Sequence, residues 1–173
     1  MRSTIALVAL LVSACAGSAT TPSVDADSCG VARPDFGPAA TAADRGLFAY
    51  DVNAPLNLKK TLQTTNNGVE VSTISFDSPD GGSVTGFLFD PVTRSSLRPG
   101  IVLMHGAPGT ASQMAGQGLA LAGHGAVVIA IDAPFARRVG EWIRFTAQDR
   151  DEQIQLMKDL QRAVDVLRGQ PNV

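Results

Sequence analysis

The sequence has 173 residues, 45% hydrophobic and 17% charged, so it can bury a core and is not disordered throughout. A formal net charge of −2 and an aromatic share of 5% exclude a basic nucleic-acid-binding face and base-stacking platforms. The length suits about one domain with a short appendage, and two cysteines with two histidines do not make a four-ligand zinc site.

The chain opens with Arg2 and the apolar run Ile5-Ala6-Leu7-Val8-Ala9-Leu10-Leu11-Val12. That run has the length of a signal-peptide core and falls short of the ~20 residues a membrane-spanning helix needs. It leads into Val12-Ser13-Ala14-Cys15, which resembles a bacterial lipobox. The resemblance implies cleavage before Cys15 and lipid on its thiol, giving an exported, envelope-anchored protein whose membrane contact is that lipid. The alternative is an ordinary secretory signal in which Cys15 is incidental and the product is free. Cys29 then is buried, or pairs with Cys15 if that thiol carries no lipid. Residues 15–44, rich in Ala, Ser, Thr, Pro, Gly and Asp, read as a flexible tether after a 1–14 signal peptide. The folded domain is expected over 45–173.

Regular patterning begins at Val69. Residues 69–76 alternate apolar with polar side chains, the period of a half-buried strand. Pro79-Asp80-Gly81-Gly82 is turn chemistry, and 84–89 returns as a second strand that Asp90-Pro91 stops. The apolar run 101–104 predicts a strand covered on both faces. His105-Gly106-Ala107-Pro108-Gly109 follows, then a helix over 111–122 with Thr110 and Gln113 at capping-box spacing. Residues 126–131 predict another buried strand, closed by Asp132-Ala133-Pro134. A loop carrying Arg137, Arg138 and Trp142 leads to a helix over 147–168. Its apolar positions Ile154, Met157, Leu160, Val164 and Leu167 predict the buried stripe. An antiparallel hairpin followed by parallel strand–helix units is an α/β sheet.

The segment 105–109 carries the chemistry. It leaves a strand and opens a helix, so backbone N–H groups near Ala107 stand free at the strand's carboxyl end. The flanking Gly106 and Gly109 permit a tight turn and close ligand approach. Such a group can stabilise an oxyanion. The bland reading is a generic strand-to-helix turn in which His105 bridges backbone groups.

From about Asp51 onward the sequence resembles the α/β-hydrolase superfamily, in particular the branch of dienelactone hydrolases and acyl-peptidase-like esterases. The residues that carry the likeness are Tyr50-Asp51, Ala54-Pro55-Leu56, the hairpin 69–90, and the turn 105–109. To these add Gly125-Ala126-Val127-Val128, Ile131-Asp132-Ala133-Pro134-Phe135 and the last helix. The resemblance implies the N-terminal part of that fold, incomplete, with the Ala107 N–H in the oxyanion hole and His105, Gly106, Pro108 and Gly109 shaping the turn. It implies a small ester or acyl substrate for the completed enzyme, and neither metal nor organic cofactor.

The family's nucleophile motif, G-x-S-x-G, does not occur. Gly81-Gly82-Ser83-Val84-Thr85 lacks the last glycine and lies in a predicted turn. His105 belongs to the oxyanion turn and His124 to a helix end, so neither suits a triad base, and Asp132 reads as a loop-fixing carboxylate. The Ser-Asp-His triad is therefore absent from these residues, and the chain is expected to be a truncated serine hydrolase, inactive alone. In the family's topology strand 101–104 then becomes an apolar edge, an aggregation hazard. The rival reading is a non-catalytic surface lipoprotein using the scaffold for binding. In it Arg137, Arg138, Arg144 and Arg150 meet an acidic ligand; the explanation favoured for these four is a solvated charged face. A nucleotide site fails on Gly116-x-Gly118, which has Leu121 where a third glycine belongs.

Overall fold

The computed structural model describes residues 40–93, 97–138 and 143–173. The signal peptide, Cys15, Cys29 and Trp142 lie outside the described residues. A five-residue helix α1 (Ala42–Gly46), closed by a capping box between Thr41 and Asp44, precedes five strands and two longer helices. The strands are β1 (Lys59–Asn66), β2 (Val69–Asp77), β3 (Ser83–Pro91), β4 (Gly100–Met104) and β5 (Val127–Ile131). Helices α2 (Ala115–Gly123) and α3 (Ala147–Arg168) follow β4 and β5.

The sheet runs β1-β2-β3-β5-β4, antiparallel from β1 to β5 and parallel between β5 and β4. Its two faces carry separate cores. Ile74, Phe76, Val84, Leu88, Ile129 and Ile131 pack against Leu156, Ala163, Val166 and Leu167 of α3. On the other face, Val69, Phe89, Val128 and Ala130 pack against Ala111 and Ala122. All five residues of β5 are 0% exposed, as expected for a strand covered on both faces and both edges.

In the strands and in α3 the structure departs from the sequence expectations in four places. Strand β1 has no apolar alternation because all eight residues are exposed at the sheet's edge. Its signal was the Asn67-Gly68 pair, whose φ of 47° and 78° give the left-handed turn that joins two twisted strands. Strand β3 continues through Asp90 and Pro91, which pair with Glu70 and Val69. Strand β4 is only half-covered, with Met104 45% exposed, because among the described residues it has a partner on one side only. The buried stripe of α3 is also rotated: Leu156, Asp159, Arg162, Ala163, Val166 and Leu167 face inward, whereas Met157 and Val164 are exposed.

Polar side chains occupy that stripe because each is paired. Asp159 accepts from Ser78 Oγ (2.6 Å) and from Arg137 (2.9 Å). Burial pushes its carboxyl above the ordinary range, partly offset by those two donors. Arg162 donates to the carbonyls of Val52 and Ala54 and to Asp165, strapping the segment before β1 onto α3. Its guanidinium also lies 5.9 Å from the Tyr50 ring centre. Among the described residues no helix is long and apolar enough to cross a membrane.

Tyr50 donates its hydroxyl to Asp165 Oδ2 at 2.7 Å. Burial, and then that bond to a carboxylate, push its phenol up to about 12. Tyr50 is the sequence's sole tyrosine, so tyrosinate absorbance on alkaline titration reports this group alone. The folded chain is expected to titrate at about 12 and the urea-unfolded chain at about 10. Because the folded state holds the proton more tightly, this contribution to stability is whole below about 10 and is lost as pH rises toward 12. Replacing Asp165 with Asn should lower the folded midpoint; a native midpoint near 10 would refute the coupling.

Candidate active site

The turn 105–109 leaves the carboxyl end of β4, beside the carboxyl end of β5 to which β4 is paired in parallel. His105 is fully buried. Its Nε2 accepts the Ala133 N–H at 3.1 Å, which fixes the proton on Nδ1, and Nδ1 donates to the Gly106 carbonyl at 3.0 Å. The ring stands edge-on to Phe135, with centres 5.6 Å apart. Both ring nitrogens are thus engaged by backbone, and His105 acts as a brace between the ends of β4 and β5.

The turn closes through the Gly109 N–H, which donates to the Gly106 carbonyl at 2.7 Å. A Cβ at Gly109 would lie 2.8 Å from that carbonyl oxygen and 2.0 Å from Gln113 Oε1, so only glycine fits without displacement. Gly106, Ala107 and Pro108 are exposed, and the Ala107–Pro108 peptide is cis. The Ala107 N–H has no hydrogen-bond partner among the described residues. That leaves a free donor on an exposed residue of a turn whose ends are held by their neighbours.

Asp132 fixes the far end of the turn. Its Oδ1 accepts the Ala111 N–H and its Oδ2 accepts Thr85 Oγ1, each at 2.7 Å, while its own N–H donates to the Thr85 carbonyl. The loop-fixing role expected of this carboxylate is what its bonds describe. The expected capping box at Thr110 is absent. Residues Ala111–Met114 form a 3₁₀ turn, so the Gln113 N–H reaches the Thr110 carbonyl (3.0 Å), and Thr110 Oγ1 bonds Ser112 Oγ instead. His124 caps the opposite end of α2, before β5 begins.

The arginines are largely neutralised from within. Arg137 binds Asp159, Arg138 binds Asp149 and Glu152, and Arg150 binds Asp151. The Arg138 bond, aided by the Thr146 N–H, holds the Asp149 carboxyl well below the usual range. Arg137 and Arg138 thus turn their charge onto carboxylates of α3, whereas the Arg150–Asp151 pair is exposed. Ser83 and its neighbours Gly81 and Gly82 lie at the β2–β3 turn, as expected. Among the described residues no group of three or more His, Cys, Asp or Glu side chains is placed to hold a metal ion.

A sheet with this order, a helix on each face and a braced turn after β4 is a portion of an α/β-hydrolase-type fold. Solved structures of the same architecture include an acetyl xylan esterase from Paenibacillus sp. R4, with a TM-score of 0.58 and 20% identity over 75% of this chain and 45% of that one. Acetyl xylan esterase 1 from Thermoanaerobacterium sp. JW/SL YS485 gives a TM-score of 0.55 and 13% identity over 69% of this chain and 42% of that one. The chain therefore spans less than half the length of these two esterases. No protein-family model matches the sequence, and no curated protein matches it significantly.

Proposed function

We propose that this chain forms the N-terminal part of an exported serine ester hydrolase and contributes the Ala107 N–H to its oxyanion hole. The observation that carries the reading is that donor: exposed, unpaired, and fixed by the His105–Ala133 and Asp132–Ala111 bonds on either side of it. Acyl transfer places a negative charge on the former carbonyl oxygen. A donor already in position stabilises that charge with no reorganisation at the moment of reaction.

The nucleophile in this reading lies outside these 173 residues, since G-x-S-x-G does not occur among them. The two esterases it resembles in fold suggest an acetyl ester of a sugar hydroxyl as the substrate class. Export with a lipid on Cys15, and descent from the dienelactone-hydrolase branch, belong to the same proposal.

A fluorophosphonate probe, which labels activated serines, should leave the 173-residue chain unmodified. On p-nitrophenyl acetate the chain should run about 10⁴-fold or more below a version extended by the coding sequence beyond Val173. In the extended enzyme, Ala107→Pro removes the N–H and should lower kcat by about 10²–10³. Labelling of the 173-residue chain, or an inert extended enzyme, would overturn the proposal.

A further inference from the structure

Two turns of the sheet place a glycine directly after an amide or carboxyl side chain. Asn67-Gly68 joins β1 to β2, and Asp80-Gly81 joins β2 to β3. In such a pair the glycine's backbone nitrogen can attack the preceding side-chain carbonyl carbon, since glycine has no Cβ to obstruct the five-membered ring that forms. The groups the fold leaves free decide whether that reaction runs.

At Asp80-Gly81 both reactants are held. Asp80 Oδ1 accepts from Lys158 Nζ at 2.7 Å, and the Gly81 N–H donates to the Ser78 carbonyl at 3.0 Å. At Asn67-Gly68 neither is held. Both residues are exposed, and among the described residues no hydrogen bond engages the Asn67 side chain or the Gly68 N–H. A cleft of about 350 Å³, lined in part by Asn67, Leu119 and His124, admits water to the tip of the hairpin. The other asparagines do not share this arrangement. Asn57 also has a left-handed φ, 46°, but its Nδ2 donates to Asp77 at 2.6 Å and Leu58 follows it. Asn53 precedes Ala54, and Asn66 precedes Asn67.

We infer that Asn67 is a spontaneous modification site, converted by deamidation to an isoaspartyl residue that releases strand β1. Hydroxide removes the Gly68 N–H proton, and the nitrogen forms a bond to Asn67 Cγ. The Cγ–Nδ2 bond breaks, and ammonia leaves with a proton from water. Water then opens the cyclic imide at either carbonyl. Cleavage of the new N–Cγ bond gives aspartate, and cleavage of the original peptide bond leaves the main chain running through Cγ. No oxidant or reductant takes part. The second product adds one methylene to the main chain inside a two-residue turn, so Asn66 and Val69 no longer meet in register. The Gly68 carbonyl, which accepts the Val92 N–H at 2.9 Å, moves with it. Strand β1 has little else to hold it, because all eight of its residues are exposed and its one neighbour in the sheet is β2.

The full 173-residue chain, folded or in guanidinium chloride, is held at mildly alkaline pH and its tryptic peptide 61–94, which contains both pairs, is followed by mass spectrometry. Electron-transfer fragmentation distinguishes isoaspartate from aspartate at each position. Asn67 should convert in the folded chain while Asn66 does not. Unfolding should speed isomerisation at Asp80 at least about tenfold more than it speeds conversion at Asn67, since the bonds around Asp80 must open first. Asn67→Gly, which suits the left-handed position, should fold and show no conversion there. Aged chain should be cut by trypsin after Lys59 and Lys60 about tenfold faster than fresh chain, and aged Asn67→Gly no faster than fresh. Equal conversion at Asn66 and Asn67, or equal acceleration of the two pairs on unfolding, would overturn the site. Conversion at Asn67 with unchanged cleavage would overturn the release of β1.

Discussion

Asp90→Ala is expected to lower stability by about 3–5 kcal/mol and the melting temperature by about 10 °C or more. Asp90 is the penultimate residue of β3, and its carboxylate binds the Arg98 guanidinium; both side chains are almost wholly buried, at 2% and 0%. Arg98 also donates from its side chain to the Pro171 carbonyl (2.6 Å) and from its N–H to the Asn172 carbonyl (2.8 Å). One arginine therefore joins the end of β3, the entry to β4 and the segment after α3. Removing Asp90 leaves its cation in a dry site, and the penalty is that of a buried charge without its counter-ion. The paired change Asp90→Leu with Arg98→Met removes both charges and should cost less than the single change. Circular-dichroism melts of the three proteins check this, and a single-mutant shift below about 3 °C would refute it.

Gly86→Ala is expected to cost about 3 kcal/mol or more by forcing β3 away from β5. Gly86 pairs with Ile131 at the junction where the antiparallel strands meet the parallel pair. A Cβ there would lie 2.1 Å from the Ala130 carbonyl oxygen and 3.0 Å from the Ile131 Cα. Both are backbone atoms of the fully buried central strand, so no rotamer change relieves the clash. The neighbouring Thr85 would shift with the strand and slacken its bonds to Asp132. Gly116→Ala gives the opposite sign. Its Cβ meets nothing within 4 Å, and replacing a helical glycine should be neutral or stabilising by up to about 1 kcal/mol. Urea midpoints measured side by side should differ in sign; equal effects would show that packing at Gly86 is not the cause.

Much of this architecture was legible because it rests on local chemistry. The long helix was read as 147–168 and is found at Ala147–Arg168, since the Thr146–Asp149 capping box starts it and Gly169 follows it. Strands 69–76 and 126–131 were legible from their periodicity and their apolar run. The turn 105–109 was legible as a place from its two glycines and its position between strand and helix.

What was not legible depends on partners distant in sequence. The rotation of α3 escaped because Asp159 and Arg162 are polar by type and become interior residues only through Ser78, Arg137 and the carbonyls near Ala54. Strand β1 escaped because an exposed edge needs no apolar alternation.

The sequence by itself determined the α/β class, the order of most elements and the segment where a free N–H would stand. Those depend on period, caps and turn residues, which act over a few positions. Only the tertiary structure decided that both nitrogens of His105 are taken by backbone groups, that Arg137 and Arg138 face carboxylates of α3, and that Asp132 reaches Thr85 and Ala111. Each of those is a pairing across the sheet, and burial makes such pairings obligatory without leaving a local trace in the chain.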